Sequence, residues 1–64
     1  MKIVHYDKSR GLAFTTDKRA MVYPIDHPDT YRVSNTTIVT TSEVAMHDPA
    51  SGVFLTRNSL YIPV

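Results

Sequence analysis

Cysteine and tryptophan are missing from this 64-residue chain, glycine appears only twice, and charge of neither sign dominates, the net value being +1. Each shortage excludes something. Without cysteine there is neither a disulfide framework nor a thiolate zinc site, the staples on which small secreted domains rely, so a reducing, cytoplasmic setting is expected. The opening Met1-Lys2-Ile3-Val4-His5-Tyr6-Asp7 lacks the apolar run of a signal peptide. Nowhere do about 18 apolar residues run together to span a bilayer, and no membrane partner is expected. The length leaves room for one core and one domain, residues 1–64. Such a domain buries only about 60 % of the surface its unfolded chain exposes, which leaves roughly 3–5 kcal/mol of net stability.

The small net charge also argues against a nucleic acid as the default partner, because non-specific binding grows with the number of phosphates neutralised. Its distribution is less even. Residues 1–19 hold Lys2, Lys8, Arg10, Lys18 and Arg19 against Asp7 and Asp17, a local +3. Residues 20–48 hold Arg32 against Asp26, Asp29, Glu43 and Asp48, a local −3, and Arg57 supplies the remaining +1.

Helical periodicity is nearly absent as well, while Val, Ile, Thr and Tyr recur in short runs that favour a pleated, half-buried surface. Strands are predicted near 2–6, 12–16, 20–25, 30–33, 36–47, 53–57 and 60–62. Turn residues separate them at Asp17-Lys18, Asp26-His27-Pro28-Asp29, Ser34-Asn35 and Asn58-Ser59. Residues 42–47 could also form one helical turn, but strand is preferred because the following hairpin needs a first arm. The fold class is therefore mainly β: a small antiparallel sandwich, or an SH3-like or OB-like barrel, of five to six short strands with at most one helical turn.

Both glycines close the same pattern, Asp7-Lys8-Ser9-Arg10-Gly11 and Asp48-Pro49-Ala50-Ser51-Gly52. Aspartate accepts bonds from a turn backbone and glycine supplies a positive φ, so each predicts a four-residue hairpin loop. Pairing Asp7 with Leu12 puts Ile3, His5, Leu12 and Phe14 on one face. Pairing Asp48 with Val53 puts Val44, Met46, Val53 and Leu55 on another, and the two faces are expected to pack together as the core.

Catalytic chemistry finds little support. His5-Tyr6-Asp7, Asp26-His27-Pro28-Asp29 and His47-Asp48 set histidine beside carboxylate, yet none shows the short fixed ligand spacing of a first-row metal site. There is no thiol nucleophile, no Gly-x-Ser-x-Gly elbow and no glycine-rich loop opening a helix. Asp26 and Asp29 straddle a proline corner with nothing to raise either pKa. No catalytic residue, metal or cofactor is expected, and the chain is not expected to be an enzyme.

Binding surfaces are the better prospect. Lys8 and Arg10 are expected to project from a loop with Tyr6 just below, and Lys18 and Arg19 to lie at the other end of the same hairpin. Tyr6, Tyr23, Tyr31 and Tyr61 are divided between core and partner contact, since tyrosine buries a large area and keeps a polar end. Residues 36–41 or 60–62, if at a sheet edge, invite strand addition by a partner or a second copy, with Pro63 blunting the latter. The expected function is that of a non-catalytic protein-binding module, a small accessory protein or inhibitor of bacterial or phage type that occludes a site on a larger protein or nucleoprotein assembly. The alternative is a nucleic-acid-binding small β-barrel in which Tyr stacks on bases and Lys and Arg track phosphates.

Overall fold

Six of the β-prone runs pair into one sheet in a computed structural model that describes residues 1–28 and 37–64. The strands are β1 (Lys2–Tyr6), β2 (Leu12–Phe14), β3 (Arg19–Val22), β4 (Val39–His47), β5 (Phe54–Thr56) and β6 (Ser59–Pro63). A single 3-10 turn, Lys8–Arg10, is the one helical element among the described residues. None of these elements is a helix long and apolar enough to cross a membrane. The strand expected at 30–33 and the turn at Ser34-Asn35 lie outside the described residues.

The sheet order is β1-β6-β5-β4-β3-β2. It is mixed, which corrects the expectation of a purely antiparallel sheet: β1 runs parallel to β6, with Lys2 opposite Ser59 and Tyr6 opposite Pro63. No turn chemistry announces this pair, because it joins the first strand to the last. Of the two stretches named as candidate edges, 60–62 is interior, with β6 between β1 and β5, whereas Val39 and Thr40, at the start of β4, pair with β3 and not with β5.

The sheet curls until its two sides meet. Asp7 N donates to Tyr23 O at 2.9 Å and Ile25 N donates to His5 O at 2.8 Å, with Tyr6 opposite Pro24. Those two bonds straddle the Tyr6–Pro24 pair, so proline sits where the ladder needs no N–H from it. The result is a partly closed barrel in which β4 changes partner along its length. Its first half pairs with β3, its second half with β5, and the register shifts between Val44 and Met46. Strands that switch partners through a bulge turn the corners of such small barrels.

Both Asp-to-Gly loops form as capped turns, but only one is a hairpin. In the second, Asp48 N donates to Val53 O at 2.9 Å, Gly52 N to Asp48 O at 2.8 Å and Ala50 N to Asp48 Oδ1 at 3.1 Å. In the first, Ser9 N donates to Asp7 Oδ1 at 3.0 Å and opens the 3-10 turn, after which the chain crosses to the far edge of the sheet. The β1–β2 hairpin predicted from the sequence is thus replaced: among the described strands β2 pairs with β3 alone.

The faces change in part as a consequence. The core is Val4, Tyr6, Ala20, Val22, Phe54 and Tyr61, with Leu12, Val39 and Val44 packed against it. Ile3 is 57 % exposed, Phe14 45 % and Met46 69 %, so three of the eight side chains assigned to the core from alternation are exposed, while Leu12 and Val44 do pack against it. The bulge explains the second face, because it sends Val44 inward opposite Thr56 and Met46 outward opposite Leu55. The Phe54 ring stacks on Tyr61 at 4.7 Å and meets Tyr6 at 5.6 Å, a cluster that fills the barrel.

The β2–β3 turn carries a local cost. Thr15 N donates to Arg19 O at 2.8 Å around a three-residue loop whose last member, Lys18, has φ 65°. Loops of this kind favour glycine at that place. Lys18→Gly is therefore expected to raise stability by about 1 kcal/mol, readable as a higher urea midpoint, since it removes the left-handed penalty of a side chain.

Candidate functional site

Alternation along each strand fixes what the outside of the barrel presents. With Val4, Tyr6, Phe54, Thr56, Ser59 and Tyr61 buried, the odd-facing neighbours must point outward. Ile3 lies opposite Leu60, Leu60 opposite Leu55, and Leu55 opposite Met46. Four adjacent strands therefore carry an unbroken aliphatic row across the outer face. Ile62 extends it beside His5, and Val53 lies just past the end of β5.

At one margin of this face the Phe14 ring rests 4.5 Å from His47 and reaches Phe54 edge-on at 6.2 Å. A hollow of about 240 Å³ opens among Met46, Val53, Phe54, Leu55 and Leu60, with His47 and Asp48 at its rim. A second, of about 320 Å³, lies on the other side of Met46 and His47, bordered by Phe14, Val44 and Lys18. Sequence reasoning missed this face because it assigned Ile3, Met46, Val53 and Leu55 to the interior and took 60–62 as a possible edge strand. The available signal was the presence of apolar residues at consecutive positions, as in Val53-Phe54-Leu55 and Leu60-Tyr61-Ile62, which gives a strand two apolar sides.

The residues singled out from the sequence are dispersed. Tyr6 and Tyr61 are core, and burial raises the pKa of both phenols. The Tyr6 hydroxyl donates to Gly52 O at 2.5 Å, locking β1 to the second loop. Lys8 and Arg10 are not a free tip: the Lys8 side chain lies against Gly52, and the Arg10 guanidinium sits 4.1 Å from the centre of the Tyr23 ring. Lys8, Arg10 and Tyr23 thus share one end of the barrel. Lys18 and Arg19 belong to the β2–β3 turn, where Arg19 Nε pairs with Asp17 at 3.1 Å. Tyr31 lies outside the described residues.

Three carboxylates have lowered pKa values, each chiefly through hydrogen bonds to the charged form. For Asp17 the first cause is the Thr15 hydroxyl, for Asp48 that of Ser51, and for Asp26 the backbone N–H of His5 followed by its ring. His5 N reaches Asp26 Oδ1 and His5 Nδ1 reaches Asp26 Oδ2, both at 2.6 Å. An ionised carboxylate only accepts, so Nδ1 carries the hydrogen. A depressed folded pKa adds stability above the ordinary aspartate range and loses it as pH falls through that range toward the folded value. The thermal midpoint is expected to be level near neutrality and to drop in the acid range. Asp26→Asn, which keeps an acceptor for His5 N, should flatten part of that drop. Among the described residues no three His, Asp or Glu side chains group as a metal site.

No protein-family model, curated protein or solved structure matches the chain.

Proposed function

We propose that this chain is a non-catalytic protein-binding module that docks through the outer face of β1, β6, β5 and β4. One observation carries the reading: the aliphatic row Ile3–Leu60–Leu55–Met46 lines the outer face, with Ile3 and Met46 exposed and Leu60 and Leu55 half-buried between them, on a domain too small to bury a second apolar face. A contiguous exposed apolar patch on a small domain costs solubility and marks an interaction surface. The exposed polar chemistry fits the same reading. Hydrogen bonds push the three shifted aspartates down, whereas a general acid working near neutral pH needs its pKa pushed up. Acting by covering a surface, such a module serves as an accessory protein or as an inhibitor of a larger assembly.

The test is affinity capture from the native host extract with the wild type and with Ile3→Glu/Met46→Glu, whose two positions are the most exposed in the row. The double variant should keep its thermal midpoint within a few degrees and lose the captured protein. Equal capture by both would reject the face. Lys8→Glu/Arg10→Glu examines the basic end in parallel. The nucleic-acid reading draws less support, because Tyr6 and Tyr61 are core residues and Arg10 covers one face of Tyr23.

A further inference from the structure

The row is not flat, and its relief is of a particular kind. Met46, the most exposed member at 69 %, projects between the two hollows that border it. A projecting apolar side chain directly beside an apolar hollow is self-complementary: a half-turn about an axis close to Met46 brings each protrusion to the other copy's hollow. A foreign partner would have to carry the matching relief by coincidence. A second copy carries it by construction.

The charges obey the same operation. Lys18 borders the hollow on the β3 side of Met46, and Asp48 borders the one on the β5 side. A half-turn exchanges the two sides and so sets each lysine against an aspartate. Asp17, next to Lys18 in the turn, is engaged by Arg19 and Thr15; the Asp48 carboxylate accepts from neutral groups of its own loop, Ala50 N and the Ser51 hydroxyl. The net charge of +1 adds no repulsion between copies. A standard interface takes about 800 Å² from each partner, roughly a fifth of the 4233 Å² this chain exposes.

We propose that, between encounters with other proteins, a second copy of the chain covers this face in a twofold homodimer, with Met46 near the axis and Lys18 of each protomer facing the partner's Asp48. The proposal rests on the docking reading above and adds its regulation, since self-association and partner capture then compete for one surface. It does not involve strand addition at an edge.

Sedimentation equilibrium from low micromolar to near-millimolar protein tests it. The wild type should pass from monomer to twice the monomer mass. Met46→Glu puts a carboxylate into each apolar hollow and should weaken the dimer by about tenfold or more, an effect of at least ~1.4 kcal/mol. Lys18→Glu should weaken it too, and Lys18→Glu/Asp48→Asn should recover much of the loss. Asparagine keeps an acceptor oxygen for Ala50 N but loses the one that accepts from the Ser51 hydroxyl, so Asp48→Asn alone is run as the control; circular dichroism checks the fold of each variant. A wild type that stays monomeric throughout, or a dimer whose dissociation constant neither Met46→Glu nor Lys18→Glu moves, overturns the homodimer. The docking reading fails separately, when Ile3→Glu/Met46→Glu captures as the wild type does. A monomeric wild type whose capture is lost in that double variant therefore rejects this inference and keeps the other.

Discussion

Phe54→Ala should leave the chain largely unfolded at 25 °C. Phe54 is 1 % exposed, stacks face to face on Tyr61, and touches the rings of Tyr6 and Phe14. Truncating such a residue removes its transfer free energy and leaves a cavity that the closed barrel cannot collapse, a loss of about 3–5 kcal/mol. That equals the whole stability expected for a domain of this size. Phe14→Ala is the control. Phe14 also carries a large ring, but it is nearly half exposed, so its truncation should cost only about 1 kcal/mol. Urea unfolding followed by circular dichroism separates the two. Similar losses for both would show that the aromatic core is misassigned.

Gly52→Ala should be the most costly single-methyl change in the described chain, at about 3 kcal/mol. Two independent terms add. Gly52 has φ +84°, a conformation that strains any side chain, and a Cβ there would stand 2.9 Å from the Tyr6 hydroxyl. That hydroxyl donates to the Gly52 carbonyl oxygen, so the methyl strains the backbone and also displaces the bond between β1 and the second loop. Tyr6→Phe removes the bond but also the obstacle. The double variant Gly52→Ala/Tyr6→Phe is therefore expected to cost less than the sum of the single ones, because both act on one contact. Strict additivity in urea midpoints would mean that the loop and β1 are not joined in this way.

Much of the local structure was legible in the sequence because it is governed by neighbours. Six of the seven β-prone runs became strands, the one at 30–33 lying outside the described residues; Asp48 to Gly52 became a capped hairpin loop, and residues 42–47 are strand rather than helix, as preferred. Pairing of distant segments was not legible. The turn chemistry at Asp7 to Gly11 was right about the turn and silent about where the chain goes next, so β1 was paired with β2 in place of β6. That mistake alone put Ile3 and His5 inside. The second face failed for a different reason, since strict alternation carries Val44 and Met46 to the same side and a bulge between them cannot be seen in residue types. Of the two apolar faces, the inner one holds the three large rings: Tyr6, Phe54 and Tyr61 pack with Val4, Ala20 and Val22, while Ile3 and Met46 stand outside. The candidate site was therefore hidden within the predicted core, while the residues chosen for contact were scattered between core, turn and one barrel end.

The placement of Val4 and Tyr6 inside the barrel and of Ile3 and its row outside it is the claim on which the binding surface stands, and the absence of native cysteine makes it directly measurable. Ile3→Cys and Val4→Cys differ by one position along β1, and dilute solutions of each would be treated with a thiol reagent under native conditions. Ile3→Cys should react nearly as fast as an unstructured thiol, and Val4→Cys at least about a hundredfold more slowly, through opening of the fold alone. The reverse order, or equal rates at the two positions, would contradict the account.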